Sequence, residues 1–366
     1  MTNTQSTSAG YSATNITMAQ KDAQRAGLPV LDIDNLHIEF PVYKGAVRAL
    51  NGVSIQVQPG EIVGIVGESG SGKSVTAMMS MRLIPKNSYV VRQGSIHKSG
   101  KNLLDASERE MRHIRGKDMA MIFQEPMTAL NPTMKVGRQI TDVIVRHTPL
   151  SRKQARERAI DLLRDMHIAD PVQVFDAYPF ELSGGMRQRI MIALAFSCQP
   201  SLLIADEPTT ALDVTVQKQV LMLLRERARK TGTAILLITH DMAVVSQFCE
   251  RVYVMYAGSV VEKGSTSEVI DTPAHPYTRG LLAGLPENAR PGAPLQAIAG
   301  QVPNLANLPK GCAFRNRCAL AGEPCSQVPP LMPVSDGLAH QDNQNDQSNQ
   351  THQAACWMTT QEVEHD

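Results

Sequence analysis

The 366-residue chain is predicted to be an α/β protein with a parallel-sheet core, a smaller antiparallel β region ahead of it and a loop-rich, Cys-containing unit at its C-terminal end. Three observations carry that expectation. Continuous apolar runs of strand length recur at Ile62–Val66, Met119–Phe123, Leu202–Ala205 and Ala234–Ile238, as strands covered on both faces require. Charged stretches of helical period, Ser151–Met166 and Val216–Arg229, fall between them, and such alternation builds a parallel sheet. Beyond about Pro286 the periodicity gives way to Pro, Gly and Cys, a composition too poor in core residues to fold without a staple.

In chain order, residues 1–29 are rich in Ser, Thr, Asn, Gln and Ala without apolar periodicity and read as a disordered leader. Leu36, Ile38 and Phe40 then alternate, as do Val53, Ile55 and Val57, with Pro59-Gly60 as a turn, so an antiparallel hairpin or small sheet is expected. Ile62–Val66 feeds a Gly-rich loop and a helix. Val252–Met255 and Val260–Val261 flank Tyr256-Ala-Gly258 as a hairpin that closes the main domain, taken as residues 30–285. Residues 286–366 form the second unit, and the polar tract Gln341–Gln353 within it reads as a disordered insertion. Two units suit the length, since single cores stop growing at roughly 250–300 residues.

Composition excludes several classes of function. Lys plus Arg number 36 against 35 Asp plus Glu, so no global field draws the chain to nucleic acid or anionic lipid. No apolar run approaches the roughly 18 residues that span a bilayer. The start MTNTQSTSAGYSATN lacks the parts of a secretory signal, which makes a cytosolic location the expectation. Disulfides are then unexpected, yet four of the six cysteines crowd beyond residue 311; Cys198, placed in an apolar helix, and Cys249 read as ordinary buried thiols.

The chemistry begins at Gly67-Glu-Ser69-Gly70-Ser71-Gly72-Lys73-Ser74, a phosphate-binding loop between a buried strand and a helix. Its glycines let successive backbone N–H groups point at phosphates, and the helix adds its positive end. Lys73 would neutralise the β and γ phosphates of ATP, and Ser74 would ligate Mg2+. The strand Leu202–Ala205 ends in Asp206 and Glu207. Asp206 falls at the carboxyl edge of the sheet, where it would hold Mg2+ through water, and Glu207 can polarise the attacking water as general base.

Leu182-Ser183-Gly184-Gly185-Met186 is where a family emerges, because it resembles the signature motif of the ABC ATPases; a Ser and two Gly opening a helix form a second anion site. Met186 stands where many members have Gln, a variant found in the peptide-importer branch. The resemblance implies a P-loop NTPase of ABC type, with an antiparallel β subdomain and a helical subdomain between Gln124 and Leu182. It implies that Leu182, Ser183, Gly184, Gly185 and the D-loop residue Asp213 of Ala211-Leu-Asp213 contact ATP held by a partner subunit. It makes Gln124 the Q-loop glutamine that senses Mg2+, and His240 the switch histidine at the γ phosphate. Tyr43 is assigned to stack on adenine, with Phe40 as the alternative.

His275-Pro-Tyr-Thr278, Leu281-Leu282 and Leu308-Pro-Lys-Gly-Cys312-Ala-Phe314-Arg-Asn-Arg-Cys318 resemble the extension of dipeptide, oligopeptide and nickel importer ATPases. The spacing of Cys312, Cys318, Cys325 and Cys356 fits neither the close pairs of usual zinc sites nor ferredoxin runs and decides little alone. The resemblance implies that these four ligate a four-iron four-sulfur cluster; zinc and unligated thiols are the alternatives. The expected machine is an importer ATPase at the cytoplasmic face of the membrane, most simply for di- or oligopeptides, otherwise for nickel or another small solute. One set of motifs makes this chain half of a two-site engine. The implied partners are an identical or paralogous ATPase subunit, two permease subunits and, indirectly, an extracytoplasmic substrate-binding protein. A soluble ABC ATPase on nucleic acid or ribosomes should carry two cassettes, a coiled-coil insertion or a basic face, and a kinase or GTPase should lack the signature; none of these features is evident, and no nucleic-acid partner is expected.

Overall fold

The computed structural model describes residues 27–43, 45–124, 129–209, 213–285, 297–334 and 352–360. Of the leader read over residues 1–29, residues 1–26 lie outside the described residues, as does the polar tract from Gln341 to Thr351.

Strands β1 (Leu31–Val42) and β2 (Gly45–Val57) pair antiparallel, as the alternation predicts. Leu31 and Ile33 share the buried face with Leu36 and Ile38 because a register shift around Asn35, whose φ is 44°, changes the parity of the strand. Strand β3 (Ile62–Val66) is buried throughout and leads into helix α1 (Lys73–Ser80). Strand β4 (Val90–Lys98) pairs with β1 and turns into β5 (Lys101–Asn102), giving an antiparallel sheet of order β2-β1-β4-β5. After α2 (Glu108–Ile114) comes β6 (Met119–Ile122), and Phe123, expected in the strand, lies beyond its end with its ring exposed.

Three mutually packed helices follow: α3 (Val136–His147), α4 (Arg152–Asp165) and α5 (Pro171–Asp176). They are the helical region expected between Gln124 and Leu182. Helix α4 starts where Ser151 and Gln154 form a reciprocal capping box. Helix α6 (Gly184–Ala195) precedes β7 (Leu202–Asp206), and Cys198 sits in the turn beyond its C-cap Phe196, not within the helix. Helix α7 (Val214–Thr231) outruns the predicted span because the Asp213 side chain caps one end and Gly232, at φ 66°, terminates the other. Then come β8 (Ala234–Thr239), α8 (Met242–Phe248), β9 (Arg251–Tyr256), β10 (Ser259–Ser265), α9 (Thr266–Asp271) and α10 (Pro276–Ala283).

The second sheet is parallel across β9-β3-β8-β7-β6. Alternate residues of its strands feed two cores: Ile62, Leu203, Ile235 and Val252 pack toward α3–α8, whereas Val63, Leu202, Leu236 and Tyr253 pack toward α1, α2 and the antiparallel sheet.

The tail returns to this sheet. Strands β11 (Met332–Pro333) and β12 (Gln353–Ala354) extend it beyond β10, with Glu262 opposite Ala354. Gln353, read as the end of the disordered insertion, is thus in a strand. Phe314 joins the core beside Tyr256 and Tyr277. Among the described residues of the tail, Leu305, Leu308, Cys312 and Cys318 pack against the same core.

Candidate functional site

The Gly-rich loop has the backbone that its residue types predict. Gly67, Gly70 and Gly72 have φ of 153°, 79° and 102°, values hostile to side chains, and a Cβ on Gly67 would strike the Met255 carbonyl oxygen. Lys73 opens α1 and bends back, donating from Nζ to the carbonyl oxygens of Gly67 at 2.7 Å and Glu68 at 2.8 Å. Burial lowers its pKa, while the carboxylates of Glu207, Asp206 and Glu68 oppose that shift. Ser74 Oγ donates to Asp206 Oδ1 at 3.2 Å, and burial pushes the Asp206 carboxyl upward, against that hydrogen bond. A hydroxyl and a desolvated carboxylate side by side are hard oxygen donors, which suits them to hold Mg2+.

One residue past the end of β7, Glu207 takes φ 45° and donates its N–H to Ile238 O at 2.8 Å, which turns its side chain out of the strand alternation. Its carboxylate accepts from Gln124 Nε2 at 3.0 Å through one oxygen and meets His240 Nδ1 at 3.2 Å through the other. Gln124, Glu207 and His240 come from three loops at the carboxyl ends of β6, β7 and β8, the edge where open α/β sheets carry their ligands. The His240 side chain is 59% exposed and that of Glu207 15%, so a solvent molecule can reach the pair.

The remaining site residues stand on other elements. Ser183 caps α6, accepting from Met186 N at 3.3 Å, with Gly184 and Gly185 in the first turn and Leu182 just ahead. Asp213 caps α7, accepting from Val216 N at 2.9 Å; Ala211 and Leu212 lie outside the described residues. Tyr43 occupies the β1–β2 turn, 98% exposed, whereas Phe40 is partly buried and packs against the core. Ser69 and Ser71 lie within the loop, and Ser71 O accepts the N–H of Gly258 at 2.9 Å.

Three contacts escaped sequence reasoning. Gln188, buried in α6, donates to Pro208 O and so ties the Ser183 helix to the end of the carboxylate strand. Tyr277 Oη accepts the N–H of Glu68 at 2.8 Å. Arg317 grips the Glu68 carboxylate with both terminal amines, at 2.7 and 3.0 Å. The last two belong to motifs that were visible, but their target, about 200 to 250 positions away, was not.

Cys312, Cys318, Cys325 and Cys356 line one cavity with His275, Phe314 and Trp357. Cys312 N donates to Cys325 O at 3.0 Å. Cys356 is returned to the others by the β12–β10 pairing, by Ala355 N on Val261 O at 2.8 Å, and by His352 Nε2 on the buried Glu262 at 2.7 Å. Among the described residues no three His, Cys, Asp or Glu converge as a single ion requires. The thiols still act on one another: burial raises the pKa of Cys312 most, and Cys325, Cys356 and Cys318 add to it.

Residues 50–210 match the ABC transporter family and residues 261–325 the C-terminal region of oligopeptide/dipeptide transporters. The chain is 60% identical to the probable D,D-dipeptide transport ATP-binding protein of Escherichia coli K12, over 92% of this chain and 98% of that one. It is 45% identical to the dipeptide transport ATP-binding protein of Bacillus subtilis 168, over 92% and 96%. Among solved structures it resembles a dimeric ATP-binding cassette in a post-hydrolysis state bound to ADP and Pi, with TM-score 0.58 and 25% identity over 64% of this chain and 98% of that one. It also resembles a component of an ABC transporter complex of Clostridium perfringens, with TM-score 0.57 and 26% identity over 67% and 91%.

Proposed function

The chain belongs to the ATP-binding proteins of ABC transporters, in the branch that carries the oligopeptide/dipeptide C-terminal region, and from that premise we propose how its residues energise an importer of di- or oligopeptides by hydrolysing ATP. The observation that carries the reading is Glu207, held between Gln124 and His240 one residue beyond the Asp206–Ser74 pair.

The phosphate loop from Gly67 to Ser74, including Ser69, Gly70, Ser71 and Gly72, wraps the triphosphate with its N–H groups, and Lys73 leaves its two carbonyl partners to bind the β and γ phosphates. Tyr43 stacks on adenine. Mg2+, held by Ser74, Asp206 and the free amide oxygen of Gln124, would neutralise charge on the phosphates. Glu207 orients the attacking water and takes its proton, while His240 bonds to a γ-phosphate oxygen and keeps the carboxylate aligned. Leu182, Ser183, Gly184, Gly185 and Asp213 face the ATP of a second ATPase subunit. A single set of motifs and the likeness to a dimeric cassette support this composite site.

We place the chain at the cytoplasmic face of the membrane on two permease subunits, fed by an extracytoplasmic binding protein, a reading supported by its family; among the described residues no helix is long and apolar enough to cross a membrane. The cysteine pocket is assigned to a four-iron four-sulfur cluster, supported by four thiols round one cavity. Purification of the intact complex from membranes tests the whole reading. Two permease subunits and ATPase activity stimulated by a peptide-loaded binding protein are expected; a chain recovered only with ribosomes or nucleic acid would overturn it.

A further inference from the structure

Among the described residues, Glu68 is where the phosphate loop meets both helix α10 and the tail. Its N–H donates to Tyr277 Oη and its carboxylate is gripped bidentately by Arg317, whose side chain is only 4% exposed. Arg317 is itself held: Nε donates to Ala299 O at 2.9 Å and Nη2 to Ile298 O at 3.3 Å, and the guanidinium lies 5.8 and 5.9 Å from the Tyr256 and Phe314 ring centres. Tyr256, Tyr277 and Phe314 pack at 4.6 to 5.4 Å between centroids, a rigid aromatic base under the loop. On the inner side, the carbonyl oxygen of the same Glu68 accepts from Lys73 Nζ. Glu68 is therefore fixed from outside by the tail and from inside by the residue that must reach the phosphates.

A fork-on-carboxylate pair with such cover is geometrically specific, unlike a surface ion pair. It also places a carboxylate at the mouth of a site for a polyanion, where a carboxylate stripped of its partner would repel the ligand. The Glu68 charge already reaches Lys73, whose pKa it supports.

We propose that Arg317 is a positioning residue for ATP binding, acting through Glu68 to hold and neutralise the phosphate loop, so that the C-terminal tail is the outer wall of the nucleotide site. The inference rests on the reading of that loop as the ATP site. Arg317 lies in the Cys312–Cys318 segment, so the cysteine pocket and the phosphate loop share one short stretch of chain.

The test is equilibrium binding of Mg·ATP to the full chain, with steady-state ATPase rates and melting temperatures, for Arg317→Met, Arg317→Lys, Glu68→Gln and the double variant Glu68→Gln/Arg317→Met. Arg317→Met should weaken ATP binding about tenfold, with the loss falling on KM and not on kcat. The double variant should return to within about threefold of wild type, because it removes the orphaned carboxylate along with the guanidinium. Arg317→Lys should recover part of the loss. Wild-type affinity in Arg317→Met overturns the inference, as does a double variant no better than Arg317→Met, which would reduce the contact to a tail anchor. A wild-type chain that binds no ATP sinks the functional reading and this inference together, so the two failures are distinguishable.

Discussion

Replacing Glu207 by Gln separates chemistry from binding and from folding. The substitution removes the carboxylate placed between Gln124 and His240. An amide oxygen can still accept from Gln124, and its NH2 group can donate to His240 Nδ1 once the imidazole carries its proton on Nε2, so at most one hydrogen bond is lost, at a cost of about 1 kcal/mol. Loss of a general base lowers the rate by about 10² to 10⁴, which at about 1.4 kcal/mol per decade is about 3 to 5 kcal/mol on the barrier. The chemical penalty thus exceeds the structural one several-fold. ATP affinity should hold or tighten, since Lys73, Ser74 and Asp206 are untouched and one negative charge near the phosphates is gone. The assay is single-turnover phosphate release alongside nucleotide binding and size-exclusion chromatography with ATP, where the variant should persist as a dimer. Phosphate release within threefold of wild type at saturating ATP would refute the role given to Glu207.

Tyr43→Ala should weaken ATP binding on the order of tenfold with an unchanged melting temperature, because the ring is fully exposed and supports no packing, whereas Phe40→Ala should lower the melting temperature and spare affinity; the reverse pattern would exchange the two assignments. Anaerobically purified protein should be brown, with visible absorption that Cys312→Ser abolishes; colourless protein with stoichiometric zinc would decide for a single ion. His275 Nδ1 accepts the Tyr277 N–H, and burial holds its pKa down to about 4 against 6.5 when unfolded. Its contribution is therefore complete above pH 6.5 and lost as pH falls towards 4, about 3 kcal/mol in all. Urea midpoints should drop over that window in wild type and less in His275→Asn, which keeps an acceptor that does not titrate; parallel profiles would exclude His275 as the source.

The nucleotide side of the site was legible because its determinants are local. Apolar runs ending at Val66 and Ala205 mark buried strands, the glycines mark φ values that side chains disfavour, and Ser151 opens a charged stretch of helical period. Glu207 and His240 could be placed because each follows such a strand directly. What remained hidden depends on contacts that leave no local trace. A strand of two residues such as Gln353–Ala354 has no periodicity, and its pairing with Lys263 and Glu262 follows from the long-range fold. Glu68 has no assigned role in the loop motif, and its grip by Arg317 depends on a contact about 250 positions away. Cys198 was misplaced because the apolar run around it continues past the point where α6 ends.

The pairing of β12 with β10 also bears on the order in which the molecule is made. Glu262 waits for Ala354, about 90 residues further along, so this edge of the main sheet closes only after residue 354 has been synthesised. Until then β10 presents an open edge, the form of surface on which nascent chains aggregate or are captured by chaperones. The same late event delivers Cys356 to the other three cysteines, so a chain truncated before residue 353 has both an uncovered edge and an incomplete pocket.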